Sequence, residues 1–495
     1  MNLILILNFL IILLVLIILI LPKNKELEIK IISLYGSVII FFFSLYLWFS
    51  FDPCNPNFQF VYSKAWFSFL NIEYTIGVDG LSILFLVLST FLLPICILST
   101  WDSIKKRIKE YILLLILTIF ILVQIFTLLD IFLFYIFFEA ILIPMFLLIG
   151  IWGSRAERIE AALRLFFYTL FGSLFMLIGI FVLYEITHST NFFIILYTPF
   201  ELVEQKFLWL LFFLGFAIKI PMVPFHIWLP QAHVEAPTAG SVILAGILLK
   251  LGGYGMLRFN VSLFPEGCQY YLPLVYSICI LGIVYSSLTT IRQVDLKRII
   301  AYSSVAHMNY VVLGIFSNTI VGIQGSILLM ISHGLVSSAL FICIGLIYDR
   351  YGSKSIIYFG GLTQIMPIFS IIFLFLSFSN ISFPGTSGFI GELLILLGCF
   401  LKNKFVTILA SFFTIFTAVY SIWLYSRVFF SQLKLGDLKS NFVLENRIYF
   451  RDISKREFFV LFPLCLLILF FGFFPNSLTQ IINLYSIGLI YKVFL

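Results

Sequence analysis

The chain has 495 residues, of which 62% are hydrophobic and 11% charged, with a formal net charge of +7 and a mean hydropathy of +1.13. An ordinary globular domain carries about 25% charged residues, so too few polar side chains are present to cover a water-facing surface. Soluble enzymes, disordered chains and nucleic-acid binders are excluded, and the basic residues form no stripe that would follow a nucleic-acid backbone.

In chain order, residues 3–21 form an apolar run that is too long for the apolar segment of a cleavable signal and lacks its small-residue cleavage site. It reads as a retained first transmembrane helix. A spanning helix needs about 20 apolar residues. The apolar stretches predict spans at 3–21, 29–51, 81–100, 111–129, 131–152, 163–186, 207–229, 239–259, 272–291, 299–317, 323–348, 365–400, 405–430 and 458–474, with an apolar tail at 479–495 that suits an interfacial helix. The expected fold is all-α, a polytopic membrane protein of about 14 transmembrane helices. The longest loops are 52–80 and 431–457. Of the 30 Lys and Arg residues, 22 fall in loops after odd-numbered helices and 5 in the others. By the positive-inside rule the odd-numbered loops face the cytoplasm or matrix. Among these loop charges are Lys297 and Lys354, and among the few on the other side is Arg258.

Four ionisable residues stand inside predicted spans: Glu139, Lys219, Lys250 and Glu392, joined at the same depth by His307 and His333. A charge at membrane depth costs at least about 2.5–3.5 kcal/mol, and it persists where it faces protein or water and has a partner. For each residue taken alone, the plainer reading is an ion pair or hydrogen bond that fixes helix packing. Buried pairs are weak stabilisers, however, and here two acids, two lysines and two histidines occupy different helices. Burial disfavours the charged form and a nearby opposite charge favours it, so a row of such groups responds to its neighbours' protonation, as a proton relay requires. Asp130 reads as a helix cap, and Glu157 and Glu160 with Arg155, Arg158 and Arg164 as a solvated face.

Two spans are broken. Pro221 and Pro224 follow Lys219 and free the carbonyls of Ala217 and Ile220, while Pro384 and Gly385 interrupt the run before Glu392. Freed backbone groups in a membrane must be met by protein or water, so both breaks predict local hydration beside an ionisable residue. Paired broken helices point to inverted repeats. The expected division is an N-terminal segment 1–110, a five-helix repeat at 111–260, a second, inverted five-helix repeat at 272–430, and a C-terminal segment 431–495. None of the 7 Cys stands in a Cys-x-x-Cys pair, and no metal or iron–sulfur site is expected.

The segments EAILIPMFLLIGIWG, KIPMVPFHIWLPQAHVEAPTAGSVILAGILLKLGGYG, RQVDLKRIIAYSSVAHMNYVVLG and SFPGTSGFIGELLIL resemble the antiporter-like membrane subunits of respiratory complex I. The pattern is closest to the chain 4 branch, because Glu392 stands where chains 2 and 5 carry lysine. The resemblance implies a proton-pumping module in a multi-pass subunit of the mitochondrial inner membrane, with odd-numbered loops facing the matrix. It implies that chains 2 and 5 and membrane lipid are the neighbours, and that NADH, FMN, iron–sulfur clusters and ubiquinone are held by other parts of the complex, with no cofactor and no redox chemistry in this chain. By position Glu139 and Lys219 resemble the coupling pair, Lys250 the bridging lysine, His307 the next relay member and Glu392 the exchange site toward the intermembrane side. His226, His233 and His333 match nearby positions. Two other readings remain at this point: an Mrp-type cation/proton antiporter subunit using the same residues, and a scaffold whose buried charges only lock helices together.

Overall fold

With no water in hydrocarbon, a spanning backbone must satisfy its own N–H and C=O groups, which leaves helices as the natural solution for a chain this apolar. The computed structural model, which describes residues 2–67, 71–434 and 451–494, is built that way. Its elements in order are α1 (Leu3–Ile20), α2 (Glu26–Ser50), β1 (Gln59–Phe67), β2 (Ile72–Val78), α3 (Ser82–Ser99), α4 (Ile108–Thr127), α5 (Ile131–Ala140), α6 (Leu142–Trp152), α7 (Arg158–Thr187), α8 (Phe192–Tyr197), α9 (Leu202–Lys219), α10 (Trp228–Glu235), α11 (Thr238–Ile243), α12 (Leu249–Gly255), α13 (Pro265–Tyr270), α14 (Leu272–Arg292), α15 (Leu296–Ile315), α16 (Ile320–Tyr351), α17 (Pro367–Asn380), α18 (Ser387–Lys402), α19 (Lys404–Phe429), α20 (Lys455–Phe473) and α21 (Asn476–Phe494).

Among the described residues, 11 helices are long and apolar enough to cross a bilayer, counting 131–152 and 238–261 each as one. Three of the expected stretches fall outside this set. Those at 207–229 and 365–400 are each two helices joined end to end, α9 with α10 and α17 with α18. The third, α15, carries Lys297, Arg298, His307 and Asn309 along its length. The tail is α21, whose Ile481 backbone packs against Gly80. Lys439 and Arg447, counted among the loop charges, lie outside the described residues.

Burial divides the helices. The apolar middle of the 32-residue α16 and of the α11–α12 stretch is enclosed, whereas α1, α2, α19 and α20 keep most of their apolar surface outward, as lipid-facing helices do. Around α16 pack α15, α18, α11, α3, α20 and α21. Asp130 caps α5 as expected: its side chain accepts from the Leu133 N–H and from the Thr190 hydroxyl at 2.5 Å. Glu160 and Arg164 pair on the exposed face of α7. All seven cysteines are free; five are buried, Cys465 is half-buried and Cys54 is exposed.

Two features depart from the expectations. The 52–80 loop contains an antiparallel hairpin, β1 with β2 in the register Tyr62↔Ile76. Its alternation was hidden because β2 is apolar on both faces where it sinks into the protein at Thr75–Val78. Three charges assigned to loops are also buried. Arg258 clamps Asp79 through two N–H···O bonds of 2.7 and 2.8 Å, with the Tyr254 hydroxyl on its Nε. Burial opposes ionisation of Asp79, yet this guanidinium holds its carboxyl below the ordinary value. Lys297 and Lys354 are only 2% exposed, and their contacts are described below.

The Asp79–Arg258 clamp fastens the start of α3 to the segment that follows α12. Removing one partner of a buried pair costs about 3–5 kcal/mol, while replacing both by apolar groups of like volume is often neutral. Asp79→Asn is therefore expected to lower stability by about that amount, and the double change Asp79→Leu with Arg258→Met by much less. Denaturant titration of the detergent-purified protein checks both.

Candidate functional site

The first break sits where the sequence places it. α9 ends at Lys219 and α10 begins at Trp228. Carbonyls at the end of α9 are met by protein: Met222 N–H donates to Ala217 O at 3.0 Å and the Trp228 indole N–H to Ile218 O at 3.0 Å. In the second break α17 ends at Asn380 and α18 begins at Ser387, with Gly385 between them at φ +93°, a conformation open to glycine and strained for other residues. A further break was not foreseen. α5 and α6 part at Ile141, just past Glu139, and Pro144 cannot donate to the carbonyl of Ala140.

Lys219 is 3% exposed and its Nζ has no hydrogen-bond partner. The ammonium lies 4.3 Å from the centroid of the Phe138 ring, a cation–π contact. Glu139, the next residue, is half-buried and its Oε1 is likewise unpartnered. No N···O contact within 4.0 Å joins Glu139 to Lys219, so the expected coupling pair stands open, with an aromatic ring against the lysine. A buried polar atom nearly always finds a protein or water partner, and these two atoms therefore mark a place for water or for each other.

Lys250 lies on α12 between two π-helical segments, Leu244–Leu248 and Met256–Val261. Nothing in the composition announced them. π-Bulges occur frequently at functional sites, and here the widened turn leaves the Ala245 carbonyl to accept from Lys250 Nζ. The same Nζ stands 2.8 Å from His333 Nδ1. His333, on α16, faces His307, on α15, with ring centroids 5.7 Å apart. Both rings line a cavity of about 10 Å³, together with Ser332, Ser379, Asn380 and Ser382, about the space one water requires. His307 Nδ1 then meets Glu392 Oε1 at 2.9 Å, both side chains being buried. Lys250, His333, His307 and Glu392 thus form one line through α12, α16, α15 and α18, with His333 between Lys250 and His307.

Each link can carry a proton. An ammonium is only a donor and a carboxylate only an acceptor, while neutral imidazole is both. If Lys250 donates to His333 Nδ1, the imidazole proton sits on Nε2. If Lys250 is neutral, the bond reverses. The same alternatives hold between His307 and Glu392.

The close approach of these helices rests on glycine. A Cβ on Gly252 would lie 2.9 Å from the Phe216 carbonyl oxygen, so only glycine lets α12 touch the end of α9 that carries Lys219. A Cβ on Gly391 would lie 2.8 Å from the Leu329 backbone nitrogen, so glycine likewise seats α18, and Glu392, against α16.

The other two histidines are not on this line. His226, between α9 and α10, points at the rings of Tyr285 and Tyr302, at 5.0 and 6.2 Å. His233 stacks on Phe341 at 4.5 Å. Both are buried, with both ring nitrogens unpartnered. Reading loops by charge also concealed a second cluster. Lys297 Nζ donates to Ala236 O at 2.8 Å, and Lys354 Nζ to Val234 O and the Ser154 hydroxyl at 2.5 Å each. Glu235 and Lys297 both stand in segments that carried the resemblance, which was the available signal. Among the described residues no group of three or more His, Cys, Asp or Glu side chains is arranged to hold a metal ion.

The family described as NADH:quinone oxidoreductase/Mrp antiporter, TM, matches residues 129–417, more than half of the chain, a stretch that includes Glu139, Lys219, Lys250, His307, His333 and Glu392. The chain belongs to this family. It is 52% identical over 470 residues to NADH-ubiquinone oxidoreductase chain 4 of Chondrus crispus, covering 95% of this chain and 94% of that one. It is 50% identical over 456 residues to NADH-ubiquinone oxidoreductase chain 4 of Arabidopsis thaliana, covering 92% and 90%. The fold matches a chain of the structure described as respiratory complex I from Thermus thermophilus with bound NADH, with a TM-score of 0.89, 26% identity and 99% of each chain covered.

Two predictions follow from the geometry of this family member. Gly391→Ala is expected to overpack the α16–α18 seam by about 1–3 kcal/mol and to lengthen the His307–Glu392 contact. Unfolding measurements and a structure of the variant check it. Lys354 lies outside the spans, and burial, partly offset by Glu235 and Asp295, lowers its pKa from 10.5 to about 8. Below about pH 8 the folded protein bears the cost of a buried ammonium. That cost disappears as pH rises toward 10.5, because the folded state releases its proton before the unfolded state does. The stability of the native protein relative to Lys354→Met is therefore expected to rise between those two pH values.

Proposed function

We propose that this chain is the proton-translocating, antiporter-like membrane subunit of a mitochondrial NADH:ubiquinone oxidoreductase (complex I), and that it moves protons along Glu139, Lys219, Lys250, His333, His307 and Glu392. The observation that carries the reading is the buried line Lys250–His333–His307–Glu392, with contacts of 2.8 and 2.9 Å at its ends and a cavity of about 10 Å³ lined by both imidazoles. The relatives' names and the fold match support membership of complex I.

The sequence of events starts at Glu139 and Lys219. A push from electron transfer elsewhere in the complex closes or opens this pair. When the carboxylate withdraws, the Lys219 ammonium loses its counter-charge and gives up a proton toward Lys250. Lys250 passes one to His333, His333 one to His307 by way of a water in the cavity that both line, and His307 one to Glu392, which releases it on the intermembrane side. Moving one charge against the potential requires about 2.3 kcal/mol per 100 mV. Losing one partner of a buried pair changes the energy by about 3–5 kcal/mol, so a single pairing switch is of sufficient size.

In this reading the residues 111–260 and 272–430 are two inverted five-helix repeats, each supplying one broken helix. The odd-numbered loops face the matrix, the neighbours are the chain 2 and chain 5 subunits, and the NADH, FMN, iron–sulfur and quinone chemistry belongs to other subunits.

In the assembled complex reconstituted into vesicles, Lys219→Ala and His333→Leu are each expected to remove this subunit's share of the protons moved per NADH. A wild-type ratio in an assembled Lys219→Ala complex would take Lys219 out of the path. The same result with His333→Leu would take out His333.

A further inference from the structure

The proton line leaves unused the side of the protein opposite the loops rich in Lys and Arg. On that side the stretch before β1, α8, the turn that carries Arg258 and Ser262, and α21 meet around a cavity of about 360 Å³. Small-ligand sites hold about 300–1,000 Å³ and combine apolar walls with a few polar groups. This cavity has both.

Its floor is the Asp79–Arg258 clamp. Four rings stand around the guanidinium carbon: Phe58 at 5.0 Å, Tyr254 at 5.2 Å, and Phe192 and Tyr485 at 5.7 Å each. A guanidinium has five N–H donors. Three are used here, on Nε toward the Tyr254 hydroxyl and on the two terminal nitrogens toward Asp79. One hydrogen on each terminal nitrogen is left over among the described residues. The Tyr485 hydroxyl, also on the lining, is buried and has no hydrogen-bond partner. Buried polar atoms nearly always have a partner, so this floor offers donors that lack an acceptor. The walls are apolar, with Phe193 and Leu196 from α8 and Leu484 and Leu489 from α21. Helix α8 reads FFIILY, and beside the cavity it leaves Ile194 48% and Tyr197 79% exposed. Apolar surface of this kind is stable against lipid and costly against water, so the cavity is entered from the bilayer. Its charge is balanced, because Asp79 and Arg258 are the only charged residues on the lining. An anionic head gains little there, and a neutral acceptor attached to an apolar chain fits both floor and walls.

We infer that the cavity between α8 and α21 is a binding site for one zwitterionic glycerophospholipid of the bilayer. An ester carbonyl of the lipid accepts from the Tyr485 hydroxyl and from the spare Arg258 N–H groups, and its acyl chain lies along α8 and α21. So placed, the lipid joins α21 to α8 and to the buried clamp. The site stands whether or not protons follow the relay, because none of its residues belongs to that line.

The test uses the whole complex in nanodiscs of phosphatidylcholine that include a phosphatidylcholine with a photoactivatable diazirine in one acyl chain. The complex is then moved into unlabelled phosphatidylcholine, illuminated and digested, and the adducts are mapped by mass spectrometry. Lipid that merely surrounds the protein exchanges away, so adducts on the lipid-facing α19 are expected to vanish while those on 192–197 and 484–489 persist. A Cβ on Gly488, which lines the cavity, meets nothing within 4 Å, so Gly488→Phe fills the space without a clash at the backbone. It is expected to abolish the persistent adducts, and Gly488→Ala to keep them. Tyr485→Phe, which removes only the hydroxyl, is expected to lower them severalfold. Adducts at 192–197 and 484–489 that vanish as fast as those on α19 overturn the inference, with no variant needed. So do adducts that persist unchanged in the assembled Gly488→Phe complex, or a map of the complex in which a neighbouring subunit's side chains fill the cavity.

Discussion

A lysine ammonium placed in hydrocarbon must be given something to donate to, and the interior around Lys250 is organised by that requirement. Its helix is widened twice to π geometry, which presents the Ala245 carbonyl on one side and leaves His333 on the other. His333 comes from α16, the most enclosed of the long helices. The rest of the line is then constrained in turn. α15 brings His307 to His333, and α18 brings Glu392 to His307. Giving one buried amine its hydrogen-bond partners produces a set of groups whose protonation states depend on one another.

The breaks in the helices serve the same end. A continuous α-helix offers no free backbone acceptor in its middle. α9 stops at Lys219 and α18 starts five residues before Glu392, so both residues adjoin irregular backbone. Proline and glycine make those breaks affordable because protein donors meet much of what they release, as Met222 and Trp228 do below Lys219. Lys219 itself is left with an aromatic face rather than a carboxylate. That arrangement leaves its Nζ with no hydrogen-bond partner although it is buried.

Much of this was legible beforehand. Every apolar stretch foreseen as a span is occupied by helix, and both breaks fall beside the charges that flagged them. Asp130 caps its helix and the Glu160–Arg164 face is solvated. The hairpin at 59–78 escaped notice because half of β2 is buried on both faces and so shows no alternation. Arg258, Lys297 and Lys354 were assigned to loops because charge and position in the chain say nothing of depth. Their partners Asp79, Ala236 and Val234 come from 179, 61 and 120 residues away, beyond any local pattern.

Composition alone determined the solvent of this protein, since a chain with 11% charge has no surface to offer water. Hydropathy determined its helices, and the few charges left inside them marked the candidate residues, because a charge in hydrocarbon is too costly to be incidental. The order of those residues along a path was decided only by the tertiary structure. Which imidazole stands between Lys250 and Glu392 depends on how α12, α15, α16 and α18 cross, and whether Glu139 touches Lys219 on how α5 and α9 do. Those crossings are set by glycines such as Gly252 and Gly391, where the missing Cβ lets two backbones meet. A proton transfer needs its groups within about 3 Å, and sequence separation carries no information about a distance of that kind.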